Sequence, residues 1–206
     1  NKPGDIFNGT GKLLVVDSRN GKIIKELSFS RPIYNVAYSP RGDYAAAASS
    51  GEVIVYETGN WNEVKKIGGA SEPLAFSPDV QALTYGDNYE QTHYGENVYK
   101  EGLDLVDLKN WRRIKRFSGN VDLVTSGRFF AQDREIVSSH WLMLYWDREK
   151  GALSKSLTLK DSLNRKVTMR NGNAFSYDGK YAIVGNDYGS YICDLPSGQL
   201  TKITDK

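Results

Sequence analysis

The sequence predicts an all-β protein built from a repeated unit, and two features of its 206 residues indicate this class. First, it is rich in Tyr, Trp, Phe and Gly, and short β-branched or aromatic runs alternate with glycine-containing turns, which is typical of strands. Second, a strand that ends in an acidic residue recurs along the whole chain. The longest strongly apolar stretch, residues 141–146, is far shorter than the roughly 18 residues of a membrane-spanning helix, so no such helix is predicted.

Charge and cysteine content exclude several functional classes. The 27 Lys and Arg residues nearly balance the 25 Asp and Glu residues, and a net charge of +2 gives no general electrostatic reason to expect nucleic acid or an anionic membrane as a partner. The single cysteine, Cys193, excludes an intramolecular disulfide framework and a multi-thiolate zinc site. We therefore expect neither a nucleic-acid partner nor a transmembrane segment.

The repeat is defined by acids that follow an apolar or aromatic residue at the end of a predicted strand. These acids are Asp17, Glu57, Asp107, Asp147 and Asp194, spaced 40, 50, 40 and 47 residues apart. A glycine follows four residues later in three copies, where a tight turn can need a positive φ; these are Gly21, Gly151 and Gly198. The other two copies have Asn60-Trp61 and Asn110-Trp111 at matching offsets. Recurrence at one position predicts a turn-stabilising role, because a catalytic pair would be needed only once.

Two further strands are predicted before four of these hairpins. A short strand runs into a polar turn such as Arg41-Gly42-Asp43 or Asp178-Gly179, and a run of small or β-branched residues follows at 44–48, 82–85, 135–138 and 181–184. Each complete unit is thus predicted to hold four antiparallel strands, a to d. The units cover approximately residues 5–28, 32–68, 72–118, 124–158 and 170–204, and the first has room only for the end of strand b, strand c and strand d.

Residues 36–67 and 173–203 resemble the WD-like and YVTN-type repeats of bacterial β-propellers. The resemblance implies four-stranded blades packed face to face in a ring. Strands such as 53–56 are apolar on both faces, and a sheet of such strands must be covered on both sides, which the packed blades of a propeller achieve. No unit has the Gly-His pair of eukaryotic WD repeats, and only Trp146-Asp147 reads Trp-Asp. The chain is predicted to be a single β-propeller domain or propeller fragment, residues 1–206, of about five four-stranded antiparallel blades.

The first blade is expected to be incomplete, and three explanations remain open: the chain is trimmed from a longer one, the blade is intrinsically short, or a partner subunit completes it. The first residue, Asn1, favours trimming. The ring has five blades or forms part of a larger propeller. The resemblance leaves both the bacterial periplasm and the cytoplasm open as compartments.

Two insertions interrupt the repeat, and insertions in repeat proteins usually mark the functional face. Residues 86–102 lie between predicted strands b and c of the third unit, and residues 159–172 link the fourth unit to the fifth; both are expected on one face of the ring. The first is rich in Tyr and acids, and the second is basic. The candidate binding-face residues are Tyr89, His93, Tyr94, Tyr99, Arg165, Lys166 and Arg170. We expect a protein partner here, since Tyr and Arg are favoured at interfaces, unless the two insertions merely neutralise each other.

The remaining polar residues give little indication of catalysis. His93 and His140 fall in different units without a Cys or carboxylate at ligand spacing, and no serine lies in a nucleophile elbow. We therefore expect no catalytic residues, no metal and no cofactor. Arg128, at the start of a predicted inner strand, is a candidate for contacting an anionic ligand in the central channel. The alternative function is a small-ligand or cofactor-binding accessory propeller attached to a bacterial redox or hydrolytic system.

Overall fold

The computed structural model describes residues 10–49, 51–93, 96–117, 126–130, 135–139, 143–161, 163–165, 167, 173–176, 180–186 and 189–204. These residues form 18 β-strands, and no helix occurs among them. Accordingly, this part of the chain has no helix of the length and apolar character needed to cross a membrane.

The strands form five separate antiparallel sheets in chain order. The first sheet has two strands, β1 (Gly11–Val16) and β2 (Ile23–Phe29). The second has β3 (Ile33–Tyr38), β4 (Tyr44–Ser49), β5 (Glu52–Glu57) and β6 (Asn62–Gly68). The third has β7 (Ala70–Phe76), β8 (Ala82–His93), β9 (Glu96–Asp107) and β10 (Arg113–Phe117). The fourth has β11 (Ser126–Phe130), β12 (Glu135–Ser139), β13 (Met143–Asp147) and β14 (Ala152–Leu157). The fifth has β15 (Asn173–Phe175), β16 (Tyr181–Asn186), β17 (Gly189–Asp194) and β18 (Leu200–Thr204).

Each four-stranded sheet is a simple meander in which consecutive strands pair. The first strands of neighbouring sheets also pack together, β3 with β7 and β7 with β11. This is the β-propeller arrangement that the sequence predicts, with four complete blades and a first blade whose described residues, from residue 10 onward, form the strands c and d. The predicted fold class is therefore confirmed.

The turn between the third and fourth strand of each blade has the same hydrogen bond in all five units. The backbone N–H four residues after the repeat acid donates to the carbonyl oxygen of the acid at 2.7–2.8 Å. The donor residue has a φ between 57° and 74° in every copy; the donors are Gly21, Trp61, Trp111, Gly151 and Gly198. The predicted requirement for a positive φ is thus confirmed, and it holds even where the residue is Trp.

The side chains of the repeat acids cap these turns. Asp147 Oδ1 accepts a hydrogen bond from the Lys150 N–H at 2.7 Å, and this bond lowers the pKa of Asp147. Asp194 Oδ1 accepts from the Ser197 N–H at 2.9 Å, which lowers the pKa of Asp194. Asp17 has its pKa lowered chiefly by its side-chain bonds from Arg19. These contacts agree with the turn-stabilising role expected of the repeated acids.

Two of the turns hold a tryptophan in the left-handed region, which is costly for a side chain with a Cβ. The ring of Trp61 lies edge-on to Tyr38 with centroids 6.2 Å apart and packs against the first interblade core. Trp111 packs against the core between the second and third sheets. Packing of each half-buried indole offsets the backbone strain, which explains why these copies do not need glycine.

The cores lie between blades rather than within them. Val55 of β5 shares one cluster with Val106 of β9, and Leu105 of β9 shares another with Trp146 of β13. Tyr145 of β13 packs in a third cluster with Cys193 of β17. Burial raises the pKa of the Cys193 thiol to about 11, so the side chain stays protonated and packs as a small buried residue. The sheets are therefore stacked face to face.

The turn geometry predicts a graded effect of glycine replacement. We expect Gly59→Ala to change the free energy of unfolding little, because an added Cβ meets no atom within 4 Å and the φ is not positive. We expect Gly21→Ala to cost about 1 kcal/mol from its positive φ alone. Gly198→Ala should cost more, because its Cβ would also lie 2.7 Å from Leu157 Cδ1. Urea unfolding of the three variants measures the series, and equal costs would contradict the account.

Candidate interaction surface

The first insertion is a projecting β-ribbon rather than an irregular loop. The predicted strand of residues 82–85 continues to His93, and β9 begins at Glu96, so that β8 and β9 each have 12 residues. They pair without a register break from Ala82–Asp107 to His93–Glu96. The Thr, Tyr and Val residues of this segment favour extended backbone, which explains why an insertion of this composition lengthens two strands.

The ribbon extends beyond the ends of β7 and β10, the two strands that flank β8 and β9 in the third blade. Pairing of β7 with β8 ends at Ala70–Asp87, and pairing of β10 with β9 ends at Phe117–Leu103. Among the described residues, no strand pairs with the outer edges of residues 88–93 and 96–101. At about 3.4 Å per residue, the ribbon extends about 20 Å beyond the blade.

Three of the predicted binding residues lie on this ribbon. Tyr89 is the register partner of Lys100, Tyr99 of Glu90, and His93 of Glu96. Tyr94 lies outside the described residues. The structure thus brings Tyr89, His93 and Tyr99 into one two-stranded element, and their part in binding stays a prediction.

A charge network around the buried Asp104 holds the root of the ribbon. Asp104 of β9 accepts from Arg116 Nε at 2.8 Å and Arg116 Nη2 at 3.0 Å, and its Oδ2 also accepts from Arg113 Nη1 at 3.2 Å. The Asp104 side chain is only 4% exposed. Arg116 pairs in addition with Asp87, the last β8 residue before the free part of the ribbon. One guanidinium thus joins three adjacent strands at the point where the ribbon begins.

The Asp104 carboxyl depends on these partners because it is almost fully buried. Burial raises the pKa of Asp104, and the Arg113 guanidinium opposes that shift. The mixture of basic and apolar residues in 112–117 is typical of an exposed outer edge strand, and it does not indicate that Arg113 and Arg116 pair with a buried acid. The available signal was an Asp between Leu103 and Leu105, in a strand that is otherwise apolar.

The described part of the second insertion is a compact turn packed on the fifth blade. Leu159 and Val167 are buried in the core between the fourth and fifth blades, and the Val167 N–H donates to the Leu159 carbonyl at 2.9 Å. Lys160 forms an isolated bridge with Gln199. The sequence indicates a basic surface loop. It does not indicate that Leu159 and Val167 anchor this loop in the core.

Arg165 is paired within its own turn. Its Nε donates to Asp161 Oδ2 at 2.7 Å, and Asp161 Oδ1 accepts from the Arg165 and Leu163 N–H groups. The side-chain bond from Arg165 lowers the pKa of Asp161. Lys166 and Arg170 lie outside the described residues. The expectation that both insertions share one face of the ring stays a prediction.

Arg128 links two blades. Its Nη1 donates to the carbonyl oxygen of Phe175 at 2.8 Å, joining β11 of the fourth blade to β15 of the fifth. Next to it, Gly127 lies against the third blade, since a Cβ at this position would be 3.0 Å from Pro73 Cγ. The contact gives Arg128 a structural role, and its predicted contact with an anionic ligand stays a prediction.

In the described part of the chain, His, Cys, Asp and Glu residues form no group of three or more that could hold a metal ion. His140 lies outside that part, and His93 has only its backbone position described.

The described residues form a propeller-like all-β fold with one elongated hairpin. Neither a protein-family model nor a curated protein matches the sequence. A solved structure of hydrazine synthase from Kuenenia stuttgartiensis is similar, with a TM-score of 0.69 and 14% sequence identity over 93% of this chain. This chain spans 59% of the length of that one. At this identity the similarity shows the fold alone.

The charge network predicts a compensating pair of substitutions. Arg116→Met should destabilise the chain by about 1–3 kcal/mol, because the buried Asp104 and the nearby Asp87 lose a shared partner. Adding Asp104→Leu should recover part of that loss, since an apolar side chain needs no counter-charge there. Unfolding free energies of the two single variants and the double variant measure the coupling. Simple additivity of the two single effects would contradict a shared network.

Proposed function

We propose that this chain is a non-catalytic β-propeller scaffold that binds a protein partner through the face bearing the insertions 86–102 and 159–172, with the β8–β9 ribbon as the main contact. The observation that carries the proposal is the shape of the ribbon. It adds two strands of six residues beyond the blade, at residues 88–93 and 96–101, where the repeat itself needs only a tight turn.

The free edges of the ribbon supply one means of recognition. Residues 88–93 and 96–101 have unpaired outer edges within the described structure, and such edges bind an extended segment of another chain by adding a strand. Strand addition is favoured when the accepting edge is held in place. The links from Arg116 to Asp87 and Asp104 supply that support at the root.

The composition of the ribbon supports a protein partner and suggests its charge. The insertion contains Tyr89, Tyr94 and Tyr99, and tyrosine is enriched at protein interfaces. Within residues 86–102 four acids accompany a single Lys100. A partner with a basic surface is therefore favoured, because complementary charge accelerates encounter and fixes orientation.

The second insertion is proposed to contribute less than the ribbon to binding of the protein partner. Arg165 is already bonded to Asp161, and Leu159 and Val167 anchor the turn in the core. Its remaining predicted contacts are Lys166 and Arg170. The alternative function, an accessory propeller that binds a small ligand or cofactor, relies on Arg128. The bond from Arg128 to the Phe175 carbonyl does not favour this alternative, because the guanidinium already has a partner within the fold.

Removal of the ribbon tests the proposal directly. Because Asp87 and Gly102 are register partners, residues 88–101 can be replaced by an Asn-Gly turn that closes the hairpin at that level. We expect the shortened chain to keep the blade fold, as measured by circular dichroism. A partner is first captured with the intact chain from extracts of the source organism and then purified. We expect the purified partner to bind the intact chain and not the shortened chain.

The matched control is Arg19→Ala, which alters an exposed turn of the first sheet and leaves the ribbon intact. It should retain the partner. Equal binding by the shortened chain and the intact chain would refute the assignment of the ribbon as the main contact.

A further inference from the structure

The outer strands of the five sheets, β2, β6, β10, β14 and β18, share two features that hinder pairing with another chain. The first is a register shift against the neighbouring strand, which leaves one extra residue in each; these residues are Ile24, Val64, Ile114, Ser154 and Ile203. The second is a lysine eight residues after each repeat acid; these are Lys25, Lys65, Lys115, Lys155 and Lys202. Bulges and edge lysines both protect an exposed strand from the addition of a further strand.

The free part of the ribbon lacks the register shift, and one of its two edges also lacks the lysine. β8 and β9 pair over 12 consecutive residue pairs without a shift. The edge formed by residues 96–101 contains Lys100, whereas residues 88–93 contain no Lys, Arg or Pro. We call residues 88–93 the acceptor edge. Within the described structure, a further strand therefore meets less obstruction at the acceptor edge than at the outer edge of any blade.

The chain's own path leaves the acceptor edge accessible from the side of β7. Pairing of β7 with β8 goes no further than Ala70 with Asp87. The preceding residue, Gly69, has a φ of 74°, and its N–H donates to the carbonyl oxygen of Gly51 in the second blade at 2.8 Å. The chain that enters β7 thus comes from the second blade and does not run beside residues 88–93. An added strand would extend the line of β7 along β8.

The two faces of the ribbon differ in charge. Side chains alternate between the faces along a strand, and register partners share a face. Leu103 is buried in the core shared with the fourth blade, so alternation places Glu101 on the same side, which we call the fourth-blade face. Glu90 is on this face as well, because its register partner Tyr99 lies two residues before Glu101.

The opposite face of the ribbon has a balanced charge, since it carries Glu96 together with Lys100. The fourth-blade face carries Glu90 and Glu101 and has no Lys or Arg among residues 88–93 and 96–101. A strand added beside β8 also alternates its side chains between the two faces. Every second residue of that strand therefore meets an acidic face.

We propose that the acceptor edge binds an extended segment of another protein by strand addition, and that this segment has Lys or Arg at alternate positions, on the fourth-blade face. The proposal rests on the proposed function and specifies the kind of segment that the ribbon recognises. Main-chain hydrogen bonds along the edge hold such a segment, and the alternating basic side chains select it.

Three synthetic peptides of seven residues test the proposal by fluorescence anisotropy with the intact chain. In the first peptide, three lysines alternate with threonine or valine. The second has glutamate in place of each lysine. The third has the sequence of the first with methylated backbone nitrogens, which removes the main-chain donors and keeps the charge. We expect the first to bind at least about tenfold more tightly than either of the others, because like charge and lost main-chain bonds both oppose strand addition.

Two results with these peptides would overturn the proposal. One is failure of the first peptide to bind. The other is equal binding of the first and third peptides, because charge alone would then account for the association.

The variants Glu90→Gln and Glu96→Gln remove the same charge from opposite faces of the ribbon. Glu90→Gln should weaken binding of the first peptide about two- to fivefold, the effect of one exposed charge pair. Glu96→Gln is the matched control and should weaken binding less. Equal weakening by the two variants would contradict the placement of the basic side chains on the fourth-blade face.

Amide hydrogen exchange resolved by NMR locates the added strand. A saturating concentration of the first peptide should slow exchange at alternate residues of 88–93, whose N–H groups point outward from the ribbon. Exchange at the outward N–H groups of residues 96–101 should stay unchanged. Slowing confined to residues 96–101 would overturn the assignment of the acceptor edge.

The chain shortened at residues 88–101 separates this proposal from the proposed function. If the shortened chain loses the purified partner but the first peptide does not bind the intact chain, the ribbon remains the main contact and strand addition is refuted. If the first peptide binds only the chain with the ribbon but the purified partner binds both chains equally, the acceptor edge is upheld and the ribbon is refuted as the main contact.

Discussion

The structure depends on one constraint: the central strands of each blade are apolar on both faces, so each sheet must be covered on two sides. In the second blade, residues 45–48 of β4 and 53–56 of β5 are all buried. Each such side chain of Val or Ile size contributes about 1.5–3 kcal/mol when it is removed from water. A single sheet of this kind cannot bury both of its faces alone. Stacking of successive blades satisfies the constraint, because each sheet is then covered by its neighbours.

The recurring turn connects this packing to the sequence. The acid before each turn fixes the chain reversal through its backbone carbonyl, and the residue four positions later adopts a positive φ. Glycine satisfies that requirement without strain, and tryptophan satisfies it where its ring is packed against a core. Local geometry and interblade packing are therefore coupled at Trp61 and Trp111, which explains why the repeat tolerates such different residues at one position.

The sequence predicted the repeat, the strand order and the turns because these follow from local patterns: an apolar run, an acid, and a glycine or Asn-Trp pair at a fixed offset. It did not predict the extent of β8 and β9, since whether an insertion folds as strands depends on its pairing partner across the hairpin. Asp104 was missed for a related reason. Its counter-charges Arg113 and Arg116 lie on the neighbouring strand, and their polar character suggested an exposed edge. The bond from Arg128 to the Phe175 carbonyl joins residues 47 positions apart, which no local pattern indicates.

The ribbon differs physically from the rest of the third blade, although it is formed by the same two strands. Leu103 and Leu105 of β9 are buried between blades, whereas residues 88–93 and 96–101 have only each other as strand partners in the described structure. Amide hydrogen exchange of the purified chain measures this difference most directly. The account predicts slow exchange for residues 103–106 and for β5, and markedly faster exchange for the ribbon, which opens without unfolding the blades. Equal protection of the ribbon and residues 103–106 would contradict a projecting element with free edges.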